Sequence, residues 1–502
     1  MNHFIIIHPS DSVGVATEKL AAGTALPLNQ NITLLNDIPM GHKFALKDIC
    51  QGENIIKYGF PIGHAMNDIK KGEHIHTHNL NTNLSGKLSY QYQPDESYQN
   101  HYHAENRTFM GFRRKNGDVG IRNELWVVPT VGCVNAIGSR IKDRFLMETV
   151  GKTVLGCVPD GIDDVRVFAH PYGCGQEGYD AENTENALAM AVKHPNCGGV
   201  LVLGLGCEDI RIETFKKTLK NYDVDRVLFL ETQQVEDEIT LGAQMLHRLY
   251  EIARHDVREE APMSALRIGL ECGGSDGFSG LTGNPLLGEL TDYVVAQGGS
   301  SVMTEVAEMF GSETILMARA RDEKVFQGIV EMINGYKQYC FDNNATITGN
   351  PSPGNLDGGI STLEEKALGC TQKGGQSKVE GVIKYATPIR TPGFNLLWAP
   401  GSDTAGTTAL GLCCQMVIFT TGRGTPYGGF VPTVKVATNT PMYERKRNWN
   451  DFNAGRLLEN VSMQTLMREF TDLILEIASG KLTAAERNGF KEFVIWKNGI
   501  SE

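Results

Sequence analysis

No run in the sequence approaches the roughly 18 uninterrupted apolar residues of a membrane-spanning helix, and the opening Met1-Asn2-His3-Phe4 has no basic signal-peptide start. The expectation is a cytoplasmic protein. Excess positive charge is also missing. The 47 Lys and Arg stand against 59 Asp and Glu, a formal net charge of −12, which argues against nucleic acid or an anionic membrane as partner. No two cysteines have Cys-x-x-Cys spacing, and the 11 cysteines, odd in number and scattered, do not form a disulfide framework. In a reducing compartment they stay as thiols or bind metal. No histidine follows His255. Gly273-Gly274-Ser275-Asp276-Gly277 matches a nucleophile elbow, but its Ser, Asp, His order cannot be completed. Gly204-Leu205-Gly206-Cys207-Glu208-Asp209 begins like a dinucleotide fingerprint, yet Asp209 stands where the third glycine belongs. A nicotinamide enzyme is therefore not expected.

What is present describes an ordinary globular chain, with 41% hydrophobic and 21% charged residues over 502 positions. That length predicts about two to four domains. Residues 1–87 hold short alternating segments such as Phe4-Ile5-Ile6-Ile7-His8, punctuated by Gly23, Gly41, Gly52, Gly59, Gly63 and Gly72, and read as a small β domain. Residues 88–107 are polar and aromatic without a period, a linker. Residues 108–262 alternate strand-like runs with helical ones at Thr184 to Lys193 and Glu213 to Lys220, the βαβ pattern of a Rossmann-like parallel sheet. Residues 263–502 form a second α/β domain. There Leu458, Val461, Leu466, Phe470, Leu473, Ile474 and Ile477 predict a helix from Leu457 to Ala478, stopped at Gly480.

Four apolar runs end in a cysteine just past a turn or at the strand end: Trp126 to Cys133, Val167 to Cys174, Val200 to Cys207 and Ile268 to Cys272. If these are neighbouring strands of one parallel sheet, Cys133, Cys174, Cys207 and Cys272 share its carboxyl rim, where open α/β sheets bind ligands, as a soft-metal site or an array of nucleophiles. The competing reading is that each is a small core hydrophobe.

Three further patterns carry candidate chemistry. In Gly72-Glu73-His74-Ile75-His76-Thr77-His78-Asn79, a strand period of two points the three imidazoles to one face, where His76 and His78 can chelate a cation or donate to an anion. A solvated strand face is the alternative. Gly41-His42-Lys43 places a basic pair after a turn. In Gly422-Arg423-Gly424-Thr425-Pro426-Tyr427-Gly428 the glycines let backbone amides approach a ligand while Arg423 grips a carboxylate, unless the segment is a plain hairpin. Asn350-Pro351-Ser352-Pro353-Gly354-Asn355 is a rigid turn with amide side chains at both ends.

These motifs, together with Asn116 to Leu125, Tyr172-Gly173-Cys174, Gly204 to Glu208 and Glu271 to Asp276, run in order across nearly the whole chain and resemble the altronate/galactarate dehydratase family. His76-Thr77-His78-Asn79 is similar to the His-x-His-Asn of the altronate branch. The resemblance implies an antifreeze-like SAF domain at the N-terminus and an iron(II)-dependent hydro-lyase that converts D-altronate to 2-dehydro-3-deoxy-D-gluconate. The iron is either mononuclear or part of an iron-sulfur cluster, with Cys133, Cys174, Cys207 and Cys272 as ligand candidates. His76, His78, Lys43 and Glu208 are the candidate bases by type, and Arg423, His42, Asp276 and Asn355 the candidate substrate contacts.

The substrate is then a small anionic sugar acid, and a homo-oligomer is compatible with the sequence. Within the resemblance, galactarate dehydration and elimination of sulfite from sulfolactate are the competing activities. Outside it stand a non-catalytic metal or sugar-acid binding protein and a thiol redox enzyme.

Overall fold

The computed structural model describes residues 3–27, 32–154 and 156–497. The expected ranges reach residues 1–2 and 498–502, which lie outside these. Among the described residues no helix is long and apolar enough to cross a membrane.

The N-terminal domain is built from very short strands. Phe4–Ile5, Val13–Ala16, Lys43–Ala45 and His74–Ile75 form a four-stranded antiparallel sheet, beside which Asn54–Lys57, Phe60–Ala65 and Leu80–Asn81 form a three-stranded one. Tight turns make such short strands possible. Gly72 has φ +85, and a Cβ there would fall 2.2 Å from the Thr33 carbonyl oxygen. The core of Val13, Ala45, Ile49, Ile55, Ile62 and Ile75 is completed by Leu368 from the far end of the chain.

Residues 82–107 contain no helix or strand but do not hang free. They strap the C-terminal unit: Tyr90 Oη donates to Glu313 (2.6 Å), Asn100 Nδ2 to the Asp292 carbonyl (2.7 Å) and Tyr102 Oη to Glu289 (2.7 Å).

Two parallel sheets make up the body. The first runs Asp164–Val167, Glu124–Pro129, Cys197–Gly204, Val227–Glu231 in spatial order, with helices Asn135–Thr149, Gly178–Val192, Ile212–Leu219 and Glu238–Ala253. The second has seven strands: Val379–Ile383, Gly393–Leu397, Ser300–Met303, Arg267–Cys272, Met416–Thr421, Thr433–Ala437 and Phe452–Asn453. Its inner strands are nearly continuous apolar runs because helices cover both faces of a parallel sheet. The strand Glu259–Pro262 pairs with Thr108–Arg113, so the start and end of the first unit meet. Arg122, fully buried, locks this junction to the C-terminal segment through both oxygens of Glu486, at 2.8 Å each.

The C-terminal helix is shorter than its apolar spacing predicts. It runs Met463–Ala478, capped by the Ser462 side chain. Asn460 takes a left-handed conformation and ends a separate 3-10 segment, Ala454–Glu459, so Leu458 and Val461 lie outside the helix.

Candidate active site

Chemistry-bearing residues gather at the carboxyl ends of the seven-stranded sheet. The strand Arg267–Cys272 delivers Glu271 and Cys272 there, while the neighbouring strand Ser300–Met303 leads into Glu305 and Glu308. Across from them the helix Leu363–Thr371 presents Lys366 and Cys370, with Lys373 one turn further on. The i, i+4, i+7 spacing of these three puts them on one face.

Their atoms interlock. Cys272 Sγ lies 3.3 Å from Cys370 Sγ and 3.5 Å from Glu308 Oε2, and the Cys370 thiol donates to Glu308 Oε2 at 3.0 Å. Lys366 donates to Glu308 Oε1 (2.7 Å), Asn350 Oδ1 (3.0 Å) and Asn355 Oδ1 (3.3 Å), and Lys373 pairs with Glu305. Neither carboxyl oxygen of Glu271 has a hydrogen-bond partner, although the residue is fully buried. The Cys370 hydrogen bond, helped by Lys373 and Lys366, pulls the Cys272 thiol down to about 7 against its burial. Burial pushes the carboxyls of Glu271 and Glu305 well above their ordinary value, reinforced at Glu271 by the charge of Glu305 and at Glu305 by Cys272 and Glu308.

Five titratable side chains, Glu271, Cys272, Glu305, Glu308 and Cys370, thus surround two buried ammonium groups. Burial keeps Glu271 and Glu305 toward their protonated forms, as the bond to Cys272 together with burial keeps Cys370, while Glu308 and Cys272 are held toward their charged ones. The ligand atoms of Cys272, Glu308 and Cys370 all lie within 4.8 Å of one another, close enough to hold one metal ion. Among the described residues they form the one such His, Cys, Asp or Glu group.

The segment 350–359 covers these donors, and the N-terminal domain holds it down; where the sequence suggested a rigid turn, Pro353–Asp357 forms a short helix capped by Ser352. Asn355 Nδ2 donates to the Ser275 carbonyl (3.0 Å). His42 Nε2 donates to the Asp357 carbonyl (3.2 Å) and His76 Nε2 to the Leu356 carbonyl (3.0 Å). The histidines cluster differently from the expected alternating strand. The strand stops at Ile75, and a turn follows in which Asn79 Oδ1 accepts from the His76 amide. The rings of His42, His74 and His76 stand 5.1 to 5.7 Å apart, with His78 beside His74. Burial holds His74 down to about 3 and His76 to about 4, so both are neutral imidazoles.

On the other side of the segment 350–359 lies an open pocket of about 350 Å³, lined by Asp276, Asp357, Arg423, Asn439 and Arg445 among others. Arg423 is half-exposed, with its guanidinium 3.7 Å from the Asp357 carboxylate. Asp276 is buried and fully engaged, accepting from Thr438 Oγ1 (2.9 Å), Ser279 Oγ (3.0 Å) and Asn439 Nδ2 (2.8 Å). A Cβ at Gly422 would fall 2.2 Å from the Asp276 carboxyl carbon, so glycine is required where the arginine turn crosses it.

The remaining cysteines are elsewhere. Cys133, in the 3-10 segment Gly132–Val134, and Cys174 and Cys207, on loops, are exposed at the carboxyl edge of the four-stranded sheet. The run Val167 to Cys174 is not a strand, since its strand is Asp164–Val167 and ends where that run begins. Those loops are laced together by Gly132 N to Tyr172 O (2.8 Å), Asp209 N to Gly173 O (3.1 Å) and Thr130 Oγ1 to Glu208 (2.8 Å). The expected single rim of four thiols is therefore divided: the strand of Cys272 pairs with Ser300–Met303 and Met416–Thr421 in the other sheet. Two candidate bases also have other work. Glu208 is a buried loop organiser that accepts from Thr130, Leu205 N (3.1 Å) and Gly206 N (2.5 Å). Lys43 is fully buried, and its ammonium spends its three donors on Gly359 O (2.7 Å), Ser361 Oγ (2.9 Å) and Glu365 Oε2 (2.8 Å).

Comparison with known proteins covers all three units. The altronate/galactarate dehydratase SAF domain matches residues 2–83. The second domain of D-galactarate dehydratase/altronate hydrolase matches 111–254, and the D-galactarate/altronate dehydratase C-terminal domain matches 263–501. Altronate dehydratase of Escherichia coli (strain K12) is 52% identical over 501 residues, 99% of each chain. Altronate dehydratase of Bacillus subtilis (strain 168) is 53% identical over 506 residues, all of both chains. The chain belongs to the altronate/galactarate dehydratase family. A galactarate dehydratase (L-threo-forming) of Escherichia coli (strain K12) stands further off, 32% identical over 95% of this chain and 93% of its own.

In this family member, sequence reasoning reached Cys272, Asn355, Asp276, Arg423 and the histidines but passed over Glu308, Cys370, Lys366 and Lys373. Their signal was helical: Lys366-x3-Cys370-x2-Lys373 and Glu305-x2-Glu308.

Proposed function

We propose that the protein is a hydro-lyase that converts D-altronate to 2-dehydro-3-deoxy-D-gluconate and water, assisted by iron(II), in the cytoplasm. The supporting observation is identity of 52 and 53% over whole chains to two altronate dehydratases, against 32% to a galactarate dehydratase. A reducing compartment suits a chain whose cysteines are all free.

The reaction removes the proton beside the carboxylate and the hydroxyl one carbon further on, and the resulting enol becomes the ketone. The proton is weakly acidic and the hydroxyl a poor leaving group, so both need help. The donor set of Cys272, Cys370 and Glu308, two thiols and a carboxylate, fits iron(II), and the partnerless Glu271 carboxyl is an unsatisfied buried group beside it. Bound there, iron(II) would supply positive charge against the negative charge that develops on the substrate.

The protein's own groups supply the rest. Arg423 and Arg445 line the open pocket and hold the substrate carboxylate. Asp276 fixes Asn439 and the Gly422 turn, which aims Arg423. Asp357 links the two halves of the site, pairing with Arg423 through its carboxylate and accepting from His42 through its carbonyl. With Lys43 and Glu208 engaged elsewhere, the proton acceptor is an imidazole, His76 or His78. Burial keeps His76 neutral, and with its Nε2–H given to the Leu356 carbonyl, Nδ1 beside Thr77 is the nitrogen that can accept.

The test is anaerobic incubation of the reduced protein with ferrous iron and, separately, D-altronate, galactarate and sulfolactate. A 2-oxo-3-deoxy acid should form from altronate. No product from altronate under conditions where iron is bound would overturn the assignment.

A further inference from the structure

A second buried charge cluster lies at the seam between the N-terminal domain and the body, and it uses none of the groups assigned to chemistry. Lys43 and Lys57 sit on separate strands of the N-terminal domain and are fully buried. Both reach into the body and meet one carboxylate: Lys43 Nζ is 2.8 Å from Glu365 Oε2 and Lys57 Nζ 2.6 Å from Glu365 Oε1. Burial alone would raise Glu365, but the two ammonium groups outweigh it and hold the carboxyl at about 2. The Ser361 amide also donates to Glu365 Oε2, at 2.8 Å.

Glu365 lies in the first turn of the helix Leu363–Thr371, and that whole turn is tied to the N-terminal domain. Thr362, the cap, donates to the Ile62 carbonyl (2.6 Å). Glu364 accepts from Thr82 Oγ1 (2.8 Å) and Asn83 N (2.6 Å). Leu368, one turn on, is buried in the apolar core of the N-terminal domain. The next residue after Glu365 is Lys366, which holds Glu308, and one turn beyond that is Cys370. One face of a nine-residue helix is therefore fastened to the small domain while another carries donors of the buried cluster. A helix is stiff, so where the fastened face sits decides where Cys370 and Lys366 sit.

We infer that Lys43, Lys57 and Glu365 are positioning residues, through which the N-terminal domain sets the placement of Lys366 and Cys370 in the body's active site. The two lysines share one carboxylate, which fixes its torsion from both sides and leaves it no freedom to rotate. The inference rests on the metal site proposed above, and its test separates the two.

The experiment uses full-length protein loaded with Co(II) in place of iron, read by its thiolate-to-metal absorption band, alongside kcat and KM for altronate. Lys57→Met leaves one lysine to pair with Glu365 and touches no reacting group. It should weaken Co(II) binding and lower kcat by about 10- to 100-fold, the range for losing a partner behind a metal ligand, while KM stays near the wild-type value. Lys57→Arg should restore most of both. A folded Lys57→Met with wild-type Co(II) affinity, absorption and kcat overturns the inference. Should Lys57→Met fail to fold, Thr362→Val removes only the cap and its bond to Ile62. The same losses are expected in smaller degree, and unchanged binding and kcat overturn the inference. Cys370→Ser is the control for the metal site. With Cys272 left as the one thiolate, the band should lose about half its intensity; if it keeps full wild-type intensity and Co(II) affinity, the metal assignment falls, and the positioning role then stands or falls on kcat in Lys57→Met.

Discussion

Cys272 and Cys370, 98 residues apart in the chain, bring their sulfur atoms to 3.3 Å beside a buried glutamate. That contact joins the end of a central strand to the last turn of a helix that the N-terminal domain anchors. It predicts a clear division among the cysteines. Cys370→Ala and Cys272→Ala should each lose bound iron from anaerobically purified protein, whereas Cys133→Ala should keep it, since Cys133 is exposed on the other sheet. Iron per chain by elemental analysis decides the matter, and equal loss in all three would move the site to the outer rim.

Arg423 is half-exposed, so its removal should barely touch stability. Arg423→Ala should raise KM for altronate about 10- to 100-fold, matching the ~1.5–3 kcal/mol of a hydrogen bond to a charged group. Steady-state kinetics and a melting curve on one preparation test both halves. Unchanged KM with a lowered melting point would make Arg423 a hairpin residue.

The buried pair of Arg122 and Glu486 is a matter of stability. Arg122→Ala leaves Glu486 with Lys491 at 3.8 Å as its remaining cation partner. The expected cost is about 3–5 kcal/mol, because one member of a buried ion pair is left behind. Denaturant titration measures it. An Arg122→Met, Glu486→Leu double variant should recover most of the loss.

The imidazole cluster predicts acid lability. His74 and His76 titrate at about 3 and about 4 in the folded protein, below the 6.5 of an exposed histidine, with burial as the main cause. Between about pH 6.5 and 4 the unfolded chain takes up protons that the folded one refuses, so stability falls as pH falls through that window. A His74→Asn, His76→Asn double variant should show a shallower fall when unfolding is followed against pH. An equal slope would mean that the imidazoles are already protonated in the fold.

The strands leading to Cys133, Cys207 and Cys272 were legible because short β-branched and leucine-rich runs bounded by glycine have few other folds open to them. Which sheet each joins was not. Pairing of Arg267–Cys272 with Met416–Thr421 is fixed by contacts across more than a hundred residues, and no local pattern encodes it. Lys43 shows the same limit from the side of chemistry. Its residue type suited a base, but its environment comes from Glu365, 322 positions away. Cys370 and Glu308 escaped notice because each lies within helical structure rather than after a strand, where no turn announces a functional end. The C-terminal helix was overextended for a local reason, the left-handed Asn460.

The strap at residues 82–107 has a consequence for how the chain is held together. Residues 85–89 are exposed, and the small domain is already gripped by Glu364, Glu365 and the turn at 356–359. Geometry is thus set by side chains, and the peptide link serves to keep the small domain at high local concentration beside its seat. A single break in the backbone there would leave a nicked protein whose two pieces stay together and dissociate only on dilution.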